Sequence, residues 1–331
     1  MSMKVLVLAP RERYDAFSAN NPVRQAAELV FCDRSGTAEQ WLAAGGDAEV
    51  LVVTPVTWVD EGLLSRMPKL KMVQCEGVGV DRIDLEAARK RGIYVCNNAG
   101  CNAGPVAEQA VMLMTMLLHH TLWGHRMVLE GHQGEAVREI EGNVPLDLTA
   151  AKVGLVGFGA IGQETAARLR PNGTEVYYYA RHRRDEETEK RLGVTYLPLE
   201  ELTARCDIVS LHLPATAEST HLVDRDFLAR MKPGAFLVNT ARGAIIDDEA
   251  LCEAIRSGHL GGAGLDAYAP EPVPADHPLV KLAHEYPDKL ILCPHQAGIS
   301  LSSFHNVYRM LFEDLGRVMA GQRPENIVNG L

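Results

Sequence analysis

The sequence predicts an α/β protein built from two doubly wound parallel-sheet domains. Three observations predict it. Short Val-rich apolar runs alternate with helix-like segments along most of the chain. The runs are continuously apolar, the pattern of strands covered on both faces. A Gly-x-Gly-x-x-Gly turn at Gly157, Gly159 and Gly162 follows one such run and opens onto a helix-like segment. A dinucleotide-binding unit that begins this late must follow, or be inserted into, another domain.

In chain order, strands are expected at residues 4–8, 29–32, 50–53, 72–75 and 94–96. Between them lie helices at 38–44, 61–67 and 85–91, the last stopped by Gly92. Pro105, after Gly104, reads as the first residue of a long helix to Leu118, because a first-turn residue has no use for its N–H. This helix is apolar nearly all round, so it is expected to be buried in the core or against a second subunit. Residues 119–148 read as an irregular surface arm. Its His119, His120, His125 and His132 do not stand at metal-ligand spacing, and no metal site is expected. After the glycine turn, strands are expected at 176–179, 208–213, 235–240, 264–268 and 290–293. Helices are expected at 186–192, 200–206, 226–231 and 247–257, with Asp247 as N-cap and Gly258 as the stop. An amphipathic helix over 301–320 closes the chain. Crossings between the domains are expected near 101–106 and 298–302.

Bulk properties exclude several classes. Among 331 residues, 33 are Lys or Arg and 43 are Asp or Glu, a formal charge of −10. That disfavours nonspecific binding to nucleic acid or anionic membranes. The seven cysteines show no CxxC spacing and lie mostly in apolar runs, which predicts buried free thiols and a reducing, cytoplasmic setting. The N-terminal apolar run is too short for a signal peptide, and no uninterrupted apolar run reaches ~18 residues.

The chemistry is expected at the carboxyl ends of the strands. The backbone of Gly157, Gly159, Ala160, Ile161 and Gly162 would meet a pyrophosphate at a helix N-terminus. Arg242, Asp266, Glu271 and His295 stand at three successive later strand ends, supplying a cation, carboxylates and an imidazole. The second strand after the turn ends without the carboxylate that would hold a ribose 2′-OH. It leads instead into Arg181-His182-Arg183-Arg184, which suits a 2′-phosphate. This predicts NADP(H) as the preferred cofactor, with NAD(H) possible, and Arg181 and Arg184 as the contacts, beside His182.

The motifs at 153–162, 231–243, 264–272 and 294–298 resemble, in order and spacing, the D-isomer-specific 2-hydroxyacid dehydrogenase family. So do Gly77-Val78-Gly79-Val80-Asp81-Arg82-Ile83-Asp84 and Asn102-Ala103-Gly104-Pro105-Val106-Ala107-Glu108. The resemblance runs from about residue 70 to the C-terminus. It implies a flavodoxin-like substrate domain, residues 1–101 with 299–331, and an inserted Rossmann domain, 102–298. It implies an Arg–Glu–His site at Arg242, Glu271 and His295. His295 would donate the proton to a 2-keto oxygen, and Glu271 would favour its imidazolium form. Arg242 would hold the substrate carboxylate, whose other oxygen would meet the N–H groups of Val78 and Gly79. It also implies cofactor contacts from His212, Pro214, Thr240, Ala241, His295 and Gly298, with Asp266 facing the nicotinamide carboxamide.

The 181–184 run resembles the arginine-bearing segment of glyoxylate/hydroxypyruvate reductases. The implied function is NADP-preferring reduction of a small 2-keto acid such as glyoxylate or hydroxypyruvate, by a cytoplasmic homodimer. Alternatives are an acid of the phosphoglycerate, lactate, formate or phosphite type, or a dinucleotide-sensing binding protein. Two departures bear on the substrate. Residues 131–144 lack the tryptophan that family members often carry there, and Tyr268-Ala269 replaces larger residues.

Overall fold

A computed structural model describes residues 2–331. The chain divides into two compact units, the residues up to Asn102 with Ile299–Leu331, and Ala103–Gly298.

The first unit holds a five-stranded parallel sheet of β1 (Lys4–Val7), β2 (Glu28–Phe31), β3 (Val50–Val53), β4 (Met72–Cys75) and β5 (Tyr94–Cys96). Their order is β2-β1-β3-β4-β5, the flavodoxin-like arrangement. The continuous apolar runs have a direct cause. Successive strand side chains point to opposite faces, and here both faces are covered. Leu6 packs with Trp41, Leu51 and Val73 on one side. Val5 and Val7 pack with Tyr14, Tyr308 and Phe312 on the other. The helix Leu301–Met319, capped by the Ser300 side chain, supplies much of that second layer.

The second unit holds β6 (Lys152–Val156), β7 (Glu175–Tyr179), β8 (Val194–Tyr196), β9 (Ile208–Leu211), β10 (Phe236–Asn239), β11 (Gly262–Leu265) and β12 (Leu290–Leu292). All are parallel, in the order β12-β11-β10-β9-β6-β7-β8. Counted from β6 this is the Rossmann order with one further strand. The order reverses between β6 and β9, which is where such sheets bind ligands.

Several elements differ from expectation. Residues 119–148 hold two helices, Thr121–Leu129 and Gln133–Gly142. Between them they bury only Ala136, so no apolar stripe against a core marked them in the sequence. The long helix starts at Ala103, which makes Pro105 its third residue, still within the turn whose N–H groups lack helical partners. The helices Arg11–Ser18, Pro22–Ala26 and Pro278–Glu285 and the strand β8 had no counterpart in the sequence reading. β11 starts earlier and ends earlier than expected, which puts Asp266 just past its carboxyl end.

Candidate active site

The turn after β6 is shaped by what its glycines lack. Gly157 has φ +98°, and a Cβ there would stand 2.4 Å from the His212 carbonyl oxygen. A Cβ on Gly162 would stand 2.5 Å from the Gly157 carbonyl oxygen, so the helix Ala160–Leu169 can pack this close only without one. A Cβ on Gly159 would meet nothing within 4 Å. That glycine faces open space at the helix N-terminus, with Ala160 and Ile161 completing the first turn. These are the three roles expected of a dinucleotide-binding turn: tight bend, open approach and close helix packing.

A cavity of about 470 Å³ opens at this turn. Gly157, Gly159, Arg181, His182, His212 and Pro214 line it, and so does Arg184. The basic run divides its labour. Arg184 donates from Nε and Nη2 to the Phe158 carbonyl, at 3.1 and 2.8 Å, which braces the glycine turn itself. Arg183 is paired in a fork with Glu189. Arg181 is 74% exposed and meets Glu218 at 3.2 Å. His212 bonds through Nε2 to Ser210 at 3.0 Å. Its Nδ1 is buried without a partner, as is the Thr240 hydroxyl. Burial pulls the His212 imidazole down to about 4, so it is neutral near pH 7. Unpaired polar atoms and an open helix terminus fit a polar ligand such as a dinucleotide.

The ends of β10, β11 and β12 are tied to one another. Asn239 accepts from the Ala241 N–H and donates to the Arg242 carbonyl, fixing the bend that carries Arg242. Gly243 follows, and a Cβ there would stand 2.0 Å from the Tyr268 carbonyl carbon, so the β10 and β11 loops touch backbone to backbone. The Tyr268 hydroxyl donates to the carbonyls of Leu265 and Cys293, at 3.1 and 2.8 Å.

His295 sits in the left-handed region at φ 55°, a cost for a residue with a Cβ that persists only where surroundings enforce it. Asp266 enforces it. Its two carboxylate oxygens accept from the N–H groups of Gln296 and Ala297, at 2.9 and 2.8 Å. Asp266 is buried, and desolvation raises its carboxyl above the usual range despite these bonds. Glu271 is held by the Tyr268 N–H at 2.9 Å and meets His295 Nδ1 at 2.7 Å. That pairing leaves Nε2 of a ring that is 45% exposed. An imidazole oriented by a carboxylate, with its second nitrogen accessible, can deliver or take a proton.

Residues 111–297 match the family described as D-isomer specific 2-hydroxyacid dehydrogenase, NAD binding domain. The chain belongs to that family. This dehydrogenase is therefore an oxidoreductase acting on 2-hydroxy acids with a nicotinamide dinucleotide. It is 38% identical to the glyoxylate reductase of Korarchaeum cryptofilum over 86% of its own length and 83% of the relative's. It is 35% identical to the formate dehydrogenase of Neurospora crassa, over 83% and 74%. The holo D-mandelate dehydrogenase of Rhodotorula graminis superposes with a TM-score of 0.86 at 27% identity, over 99% of this chain and 98% of that one.

The remaining expected residues of the dehydrogenase are placed as follows. Val78 and Gly79 lie in the first unit, in the loop after β4. The Val78 carbonyl accepts from Asn97 Nδ2 at 2.7 Å and the Gly79 carbonyl from the Cys75 thiol at 3.2 Å. In a planar trans peptide, fixing the Val78 carbonyl also fixes the opposite direction of the Gly79 N–H. Ala241 and Gly298 lie at the ends of the tied loops and do not line the cavity. Sequence reasoning missed Asn239, Gly243 and Tyr268. A small residue directly after the strand-end arginine was the one available signal, at Gly243. No helix is long and apolar enough to cross a membrane among the described residues.

Proposed function

We propose that this dehydrogenase reduces a small 2-keto acid, such as glyoxylate or hydroxypyruvate, with NADPH in preference to NADH. The observation that carries the chemistry is the 2.7 Å contact between Glu271 and His295 Nδ1. When bound, the dinucleotide supplies a hydride. His295 gives the keto oxygen its proton from Nε2, and takes one back in the reverse direction. Glu271 holds the ring through Nδ1, which turns Nε2 toward the substrate. Arg242 binds the substrate carboxylate and polarises the keto oxygen through a fork of donors. The N–H groups of Val78 and Gly79 take the other carboxylate oxygen. Asp266 holds the His295 loop and offers its remaining lone pairs to the nicotinamide carboxamide. The glyoxylate reductase relative at 38% identity supports a small keto acid.

Support for NADPH comes from the end of β7. No carboxylate stands there, and Arg181 and His182 line the cavity. Arg184 keeps Nη1 for a phosphate while its other nitrogens brace the turn. Initial rates with glyoxylate and hydroxypyruvate, each with NADPH and NADH, test the reading. We expect higher kcat/KM with NADPH, and an Arg181→Ala variant that loses about tenfold with NADPH and little with NADH. Equal loss with both cofactors would remove the 2′-phosphate argument.

The dehydrogenase is proposed to be a homodimer. Leu129 at 73% exposure and Val144 at 81%, with Val128 and Val137 also exposed, leave an apolar face on the arm 119–148. Light scattering should give twice the chain mass, and a monomer at micromolar concentration would overturn this.

A further inference from the structure

Glu76 follows β4 and leads directly into Gly77, Val78 and Gly79. Its side chain is 2% exposed, and neither buried carboxyl oxygen has a partner at good hydrogen-bond geometry. The buried hydroxyls of Tyr14 and Tyr308 face it from the helices Arg11–Ser18 and Leu301–Met319 and interact with the carboxyl, though neither reaches good hydrogen-bond geometry. Arg13 stands 3.9 Å from Oε2, beyond hydrogen-bond length, and Arg34 acts on it from the turn after β2. Gln74 Oε1 and Asn98 Nδ2, in the same unit, are also buried without partners. A carboxyl in this setting is costly, more so as the anion, and an apolar side chain would serve the core better. Burial pushes the Glu76 carboxyl above the usual carboxylate range, and Tyr14, Arg13, Tyr308 and Arg34 offset this only in part.

We propose that Glu76 is a proton-binding positioning residue for the substrate-carboxylate loop: the neutral acid lets residues 77–79 accept an anion, and the ionised form repels it. The inference rests on the reading of Val78 and Gly79 given above. The physics is Coulombic. Three residues of backbone span at most about 10 Å, and the side chain and the N–H···O contact add a few more, so a charge on Glu76 lies within roughly 15 Å of an anion bound at those N–H groups. At an effective dielectric near 20, like charges at that separation weaken binding by about tenfold. By linkage the effect is reciprocal, so substrate binding favours the proton on Glu76. Glu76 does not touch the reacting atoms, so the effect belongs to KM and not to kcat.

The test is KM for glyoxylate, and the inhibition constant of the non-reducible analogue oxamate, from acid to alkaline pH. Glu76→Gln keeps the shape and the neutral state. It should match wild type at acid pH, bind about tenfold more tightly than wild type at alkaline pH, and leave kcat unchanged throughout. A Glu76→Gln profile that follows wild type at every pH overturns the proposal. Tyr14→Phe removes a hydroxyl that favours the anion and should move the wild-type KM transition to more alkaline pH, so an unmoved transition also overturns it. Asn97→Ala separates the two layers of the argument. It frees the Val78 carbonyl and should raise KM at all pH. If it does not, the carboxylate-loop reading falls and takes this inference with it. If it does while Glu76→Gln still tracks wild type, only the inference falls.

Discussion

The turn after β6 and the loop after β12 end strands of the same sheet, yet they are held in opposite ways. The turn is built from missing atoms. Gly157 and Gly162 allow contacts that a Cβ would block, and Gly159 stays open. The His295 loop is built from side chains that reach across sequence: Asp266 to Gln296 and Ala297, Glu271 to His295, and Tyr268 to Cys293. The turn should therefore be more sensitive to added volume than to lost charge, even with Arg184 braced on the Phe158 carbonyl. The loop should be the reverse.

The largest effect expected is on the loop. His295→Gln should lower turnover about a thousandfold while leaving cofactor affinity near wild type, read by initial rates and by fluorescence titration with the reduced dinucleotide. Equal loss of both would assign His295 to the fold and not to proton transfer.

The turn offers a paired test of added volume. Gly157→Ala places a Cβ 2.4 Å from a carbonyl at positive φ, and should destabilise by about 3 to 4 kcal/mol in denaturant unfolding. Gly159→Ala meets nothing within 4 Å and should leave unliganded stability within about 0.5 kcal/mol, while cofactor binding weakens at least tenfold. If the two variants lose stability alike, the division of roles within the turn is wrong.

Next comes His212, which lies beside the turn. Its folded value is about 4 against 6.5 ordinarily, so between those values the unfolded chain holds more protons. Its contribution to stability is complete above about 6.5 and is lost as pH falls toward 4, on the order of 3 kcal/mol in all. His212→Asn should flatten that segment of the stability curve relative to wild type.

The smallest expected effect sharpens the loop side. Asp266→Asn keeps the volume but sets an NH₂ against a backbone N–H. It should cost about 2 kcal/mol and lower kcat/KM by misplacing His295, with cofactor-free melting as the second readout. Unchanged activity would mean that the left-handed backbone of His295 is held by something else.

The difference between turn and loop also explains what could be read from the sequence. The glycine turn is a local object: three residues at fixed spacing after a strand determine it. The strands of both sheets were legible for a related reason, since burial on two faces leaves an unbroken apolar run. Arg242, Glu271 and His295 were found only because their motifs resemble a known family. Nothing in their separate surroundings says that β10, β11 and β12 end side by side. Asp266 was expected to face the nicotinamide. Its bonds to Gln296 and Ala297 span 30 residues of chain or more, beyond any local pattern. Arg184 looked like a phosphate ligand, and two of its nitrogens brace the glycine turn. The arm helices stayed hidden because they bury almost nothing within their own chain.

By itself, then, the sequence determined the alternation of strand and helix, the two parallel sheets and the dinucleotide turn. Each depends on side-chain periodicity or on glycine geometry within a few residues. Tertiary structure decided which polar groups meet: Glu271 with His295, Asp266 with the loop beyond it, and Glu76 with Tyr14, Tyr308 and Arg13. Those meetings follow from strand order and loop packing, and a buried charge takes its chemistry from neighbours that lie far away along the chain.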